Sequence, residues 1–269
     1  MRDNRDGGME DRSVLTDLTI PQLLRWRVEK SGDRVALREK DFGVWNNFTW
    51  RQYYERVGKA ALGLQEIGLK RGDKIALITD NIPEMLVVSI GAQSIGAISA
   101  GIYQTSLPDE ISDILNYLDV SIVFCDDQEQ VDKVVAVRDR IPKVRKVIYE
   151  DPRGMRGYRS DDWFMVIDDL YRLGEDVHEA APGRFEQLVD QGNPDDICHL
   201  CLTSGTTGLP KGAMLSHRNY TNMGVQLTKV DPLAEGDEYA SFLPFAWIGE
   251  QMNSFGVAMA TGITINFPE

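Results

Sequence analysis

Short β-branched runs alternate with amphipathic stretches of about ten residues, and this alternation predicts an α/β protein with mainly parallel, doubly wound sheets and flanking helices. Two further observations agree. The 269 residues are 42% hydrophobic, enough to bury a sizeable core in one large domain or two subdomains. Pro83 opens one periodic segment and Gly68 closes another, as helix boundaries do.

Taken in order, Met1–Arg12 is charged, contains Gly7 and Gly8, and lacks the apolar stretch of a signal peptide, so residues 1–16 are expected to be a disordered tail. Thr49 and Gln52 form a capping-box pattern. Behind it Tyr53, Val57, Ala60, Leu64 and Ile67 recur at helical spacing until Gly68 ends the helix. Lys74–Thr79 reads as a strand, Pro83–Ile95 as a helix opened by proline, and Ala97–Ile102 as a strand. Ser106 is the expected cap of a helix carrying Ile111, Ile114, Leu115 and Leu118. Strands over Ser121–Cys125 and Val144–Tyr149 flank a helix over Gln128–Arg140, and a further helix is expected around Met165–Leu173. A linker through Ala180–Gly183 divides the chain into a first αβ subdomain, 17–180, and the start of a second, 181–269.

The uncharged run Met85–Leu107 is long enough to span a bilayer. It holds Ser89, Gln93, Ser94 and Ser99, and Gly96 divides it, so a buried helix followed by a buried parallel strand explains it better. A net charge of −13 without a basic cluster argues against nucleic acid as a partner. Cys198 and Cys201 sit two residues apart with His199 between them, but no second ligand pair accompanies them. They read, with Cys125, as buried thiols, and the lack of a disulfide framework fits a reducing, cytoplasmic setting.

The most informative segment is Thr203-Ser204-Gly205-Thr206-Thr207-Gly208-Leu209-Pro210-Lys211-Gly212. Its first residues have almost nothing to bury. They offer backbone N–H donors, four hydroxyls and one ammonium, a set suited to a polyphosphate. Ile197–Leu202 before it reads as a strand, and Ser216 after it as the cap of a helix, so the expected setting is a strand–loop–helix phosphate site. The spacing fits neither the Walker pattern nor a GxGxxG fingerprint.

Thr203–Gly212 resembles, at every constrained position, the signature loop of the adenylate-forming enzymes, which include acyl-CoA synthetases, firefly-type luciferases and peptide-synthetase adenylation domains. Leu69–Ala76, Asn81-Ile82-Pro83-Glu84 and the stretch from Gly96 to Ser106 resemble further segments of the long-chain fatty acyl-CoA synthetase branch, with Gln104 in place of that branch's usual proline. Leu243–Glu250 aligns with the segment lining the acyl pocket, and Trp247 stands where many relatives carry histidine. The resemblance runs from about Asp17 to the final residue, so the chain looks like the incomplete N-terminal domain of such an enzyme.

The resemblance implies a two-step ligase. A fatty acid of medium or long chain, or another carboxylic acid, attacks ATP to give acyl-AMP, and coenzyme A then takes the acyl group. Thr203, Ser204, Gly205, Thr206, Thr207 and Gly208 would hold the phosphates, with Lys211 as their counter-charge. Lys211 and Thr206 would act in catalysis, Thr206 also meeting Mg²⁺, while Trp247 and Gly249 would border the acyl group. His217 reads as structural, because adjacent side chains at a helix start point apart and Ser216 cannot pair with it. The family's ribose-binding acid and mobile lysine would lie beyond Glu269, so this chain alone is not expected to complete the reaction. Contact with a membrane surface and pairing into a homodimer both stay open. A luciferase-like or peptide-synthetase domain, or a silent nucleotide- or acyl-binding module, are the other readings.

Overall fold

The computed structural model describes residues 12–203 and 211–268. In chain order its helices are α1 (Ile20–Ser31), α2 (Trp50–Glu66), α3 (Pro83–Ser94), α4 (Pro108–Leu118), α5 (Gln128–Val135), α6 (Ile167–Ala180), α7 (Arg184–Asp190), α8 (His217–Val230), α9 (Ile248–Gln251) and α10 (Ala258–Thr261). A π-helical turn, Met252–Val257, joins the last two. The strands are β1 (Val35–Asp41), β2 (Val44–Thr49), β3 (Lys74–Ile78), β4 (Ile98–Ile102), β5 (Val120–Cys125), β6 (Lys146–Tyr149), β7 (Phe164–Val166), β8 (Ile197–Thr203), β9 (Lys211–Ser216), β10 (Glu238–Ala240) and β11 (Thr264–Phe267).

Two sheets result. The larger has seven strands in the order β7-β6-β5-β3-β4-β8-β9, parallel except for β9, which runs antiparallel to β8 at the edge. Period-two alternation sends Ile75 and Leu77 of β3 into one core and Ala76 and Ile78 into the other. Helices α4 and α5 cover the second face, while α1, α2 and α3 pack on the first. This is the doubly wound arrangement expected. The run Met85–Leu107 supplies buried α3 and buried β4, and no helix among the described residues is long and apolar enough to cross a membrane.

Several expectations shift. The end of the expected tail, from Arg12 on, joins Asp17 in a 3-10 turn, Arg12–Asp17, in which Leu15 is buried. Ser106 does not cap α4; Pro108 opens that helix, and the Glu110 carboxylate accepts from the Leu107 N–H at 3.0 Å. The helix expected over 128–140 stops at Val135, and the one around Met165 begins at Ile167 after β7. The boundary near residue 180 does not separate the sheets. Parallel β8 adds to β4 in the larger sheet, and β11 pairs with β1 in a smaller sheet ordered β10-β11-β1-β2. The two segments therefore interleave, because β4 and β1 each present a row of backbone N–H and C=O groups that later strands β8 and β11 pair.

Candidate active site

The phosphate motif grows from the end of β8. Ile197–Thr203 pairs in register with Lys211–Ser216, Thr203 opposite Lys211, and the Thr203 hydroxyl donates to the Lys211 carbonyl at 3.2 Å. The expected strand–loop–helix setting is thus corrected to a β-hairpin, since β9 intervenes before Ser216 caps α8. Among the described residues no helix N-terminus follows β8 directly, and Lys211 is the cation at this strand's end. Ser204, Gly205, Thr206, Thr207 and Gly208 lie outside the described residues. The flanking Thr203 and Lys211 are both exposed, and among the described residues no carboxylate pairs with the Lys211 ammonium.

The segment Leu243–Glu250, which carries Trp247 and Gly249, comes to the same end of the sheet. Gly101 at the end of β4 lets the backbone of Ala246 lie against it; a Cβ there would stand 2.8 Å from the Ala246 Cα. The Cys201 thiol reaches toward the Ala246 carbonyl at 4.0 Å. Asn81 ties the turn after β3 to this segment, donating to the Ser241 hydroxyl at 2.8 Å and the Leu243 carbonyl at 2.7 Å. Trp247 precedes α9 with its side chain 52% exposed, while Phe245 and Ala246 are buried beneath. Gly249 sits in the first turn of α9 and accepts the Asn253 amide at 3.0 Å.

Glu250 is fully buried under this segment. Its carboxylate accepts from the Ser241 hydroxyl (2.8 Å), the Ser254 hydroxyl (2.7 Å) and the Tyr239 hydroxyl (2.7 Å). Three donors on one buried acid compensate its desolvation and fix the loop to the helix. Sequence reasoning quoted Glu250 without giving it a role, although an isolated acid in the apolar run 239–265 was the available signal. His199, which the sequence shows only as the residue between two thiols, has its Nδ1 2.8 Å from the Ser99 hydroxyl and packs its ring against Phe245, Tyr220 and Phe255. Burial pushes His199 down to about 3 and the Cys198 thiol well up, so the Cys-His-Cys cluster is inert neutral packing. His217 is structural: its Nδ1 accepts the Ile20 N–H at 3.1 Å.

The β8–β9 hairpin and the segment Ser241–Glu250, gathered at the carboxyl end of a mainly parallel doubly wound sheet, define an α/β class of fold. Solved structures share that fold. The anthranilate CoA ligase AuaEII in complex with anthranoyl-AMP matches with a TM-score of 0.78 at 22% identity, covering 93% of this chain and 45% of that one. The inhibitor-bound N-terminal domain of FACL13 from Mycobacterium tuberculosis matches with a TM-score of 0.76 at 21% identity, covering 93% and 57%. The chain belongs to the AMP-binding enzyme family, whose model matches residues 24–269. Among its relatives, the long-chain-fatty-acid–CoA ligase ACSBG2 of Xenopus laevis is 31% identical over 261 residues. ACSBG1 of Bos taurus, another long-chain-fatty-acid–CoA ligase, is 31% identical over 259. Each alignment covers 94% of this chain but only 34% and 35% of those relatives, so the chain spans about a third of their length.

Proposed function

We propose that this chain is the nucleotide-gripping part of an ATP-dependent ligase that activates a medium- or long-chain fatty acid as acyl-AMP and passes it to coenzyme A. The observation that carries this reading is the signature run Thr203–Gly212 in a chain of the AMP-binding family. The relatives' names support a fatty-acid substrate.

The physical difficulty of the first step is negative charge. A carboxylate must approach the α-phosphorus of a triphosphate, forming a C–O–P bond while the bond to the pyrophosphate oxygen breaks. Charge then builds on the departing pyrophosphate. Donors fixed in place beforehand, together with one cation, stabilise it with little reorganisation. In this reading the hydroxyls of Thr203, Ser204, Thr206 and Thr207 and the amides around Gly205–Gly208 hold the β- and γ-phosphates, and Lys211 supplies the cation. Trp247 and Gly249 border the acyl group. Resemblance gives Thr206 to Mg²⁺, which when bound would neutralise phosphate charge; among the described residues no group of three acidic, His or Cys side chains suits a metal. The thiol of coenzyme A then attacks the acyl carbon, and AMP leaves.

The test is carboxylate-dependent exchange of labelled pyrophosphate into ATP by the full-length protein. Fatty acids should support exchange, and Lys211→Ala should cost about 2–4 kcal/mol of transition-state stabilisation. Absence of exchange with any carboxylic acid, or an unaffected K211A variant, would overturn the reading.

A further inference from the structure

We propose that the cavity between α2, α6 and α7 binds a small organic cation bearing a guanidinium or primary ammonium group. The cavity measures about 360 Å³, a size typical of small-ligand sites. Its apolar wall is the pair Tyr54 and Phe185, whose ring centroids lie 5.0 Å apart at 52°. Gly58 beneath them makes this closure feasible, because a Cβ there would stand 3.0 Å from the Phe185 ring. The polar wall is Glu175 and Glu186, with Lys59 between, and Glu55 and His178 complete the lining.

Two atoms of this wall lack a partner. Tyr54 Oη and Glu186 Oε2 are shielded from solvent and have no hydrogen bond among the described residues. A carboxylate oxygen only accepts, so the missing group must be a donor. Leaving such an acceptor unpaired is costly, and the cations nearby are committed elsewhere. Lys59 is held by Glu175 at 2.9 Å, Arg25 by Asp190 at 2.7 Å, and the Arg184 guanidinium donates to Gln65 at 3.3 Å. Three carboxylates against one ammonium leave the lining negative. Burial, with Glu186 next in effect, pushes the Tyr54 hydroxyl well above its ordinary range, so it stays protonated and its oxygen can accept from a ligand N–H. Aromatic faces beside a carboxylate favour a cation over a neutral donor.

The proposal stands apart from the ligase reading, and its test does not involve ATP. Calorimetric titration of the full chain with agmatine, n-butylamine and neutral N-butylurea separates the possibilities. Saturable binding of one or both cations, with agmatine against butylamine telling guanidinium from ammonium, is expected. The urea should bind about tenfold more weakly or not at all, and Glu186→Gln should weaken the cation by about tenfold or more. The unliganded E186Q protein should melt no lower than the parent, since the substitution keeps the side chain's volume and breaks no hydrogen bond of the shielded Oε2, and the cation should raise the parent's Tm only. Equal binding of the urea, no saturable binding, unchanged affinity in E186Q, or an E186Q melting point well below the parent's would each overturn the assignment. A K211A variant should bind the cation normally.

Discussion

Two histidines bracket the phosphate hairpin, His199 on β8 and His217 at the start of α8, and burial pushes both down to about 3. Each is neutral near pH 7, and His217 serves as an acceptor for the first turn of α1. Replacing it by phenylalanine keeps the volume but strands the Ile20 N–H, so H217F should lose about 1–3 kcal/mol in urea unfolding. Pyrophosphate exchange per folded molecule should be unchanged; a selective loss of exchange would instead make His217 a base. Glu150 behaves in the opposite sense. Burial, then the neighbouring Glu39, Asp151 and Asp126 carboxylates, push it up to about 7. The folded state therefore holds this proton more tightly than the unfolded chain, and the associated stability is present in acid and lost as pH rises through about 7. Glu150→Gln should match the parent near pH 4 and exceed it by about 1 kcal/mol at pH 8, as read by chemical denaturation at both pH values.

Among the elements, the capping boxes show what sequence makes legible. Thr49 and Gln52 announce α2, and their reciprocal bonds of 3.2 and 2.8 Å are formed. Thr19 and Gln22 make the same box at α1, with Pro21 in the first turn as a second helix-start signal, and the sequence reading names neither. At α4 the hydroxyl residue was visible and misleading, since Pro108 moves the helix start past Ser106. Strand β9 was illegible for a different reason. Lys-Gly-Ala-Met-Leu-Ser has no β-branched residue and no clear alternation, and only pairing with β8 makes it a strand. The crossing of α8 over the π-helical turn depends on contact between Gly224 and Gly256, where a Cβ on Gly224 would lie 2.5 Å from the Gly256 carbonyl carbon. Gly224→Ala should force that turn away and cost about 1–3 kcal/mol of stability. Because the turn follows Trp247 and Gly249, the same variant should weaken binding of the carboxylic acid more than binding of ATP, which separate titrations would show.

At the scale of the molecule, sequence order and spatial order part company. The alternating pattern makes a parallel sheet and its helices legible, and the signature run makes the family legible. Neither carries information about β11 returning to β1, more than two hundred residues upstream, because pairing between distant edges leaves no local trace. Arg27 of α1 reinforces that return, donating to the carbonyls of Met259 and Ala260 at 2.9 and 2.8 Å. A chain ended after Gly236 should therefore lose far more than the small sheet: α1 would be undocked, and the cooperative urea transition of the parent should flatten or vanish. A second, intact transition in that shortened chain would show that the larger sheet stands alone. The hairpin has a mechanical corollary. Strand β9 is bonded on one side only among the described residues, so tension on whatever its tip grasps passes through a single ladder into β8. From there the Ser99–His199 contact and the Ser89–Ser99 bond relay the load to α3, every residue of which is buried, so the hairpin is moored in the keel of the fold.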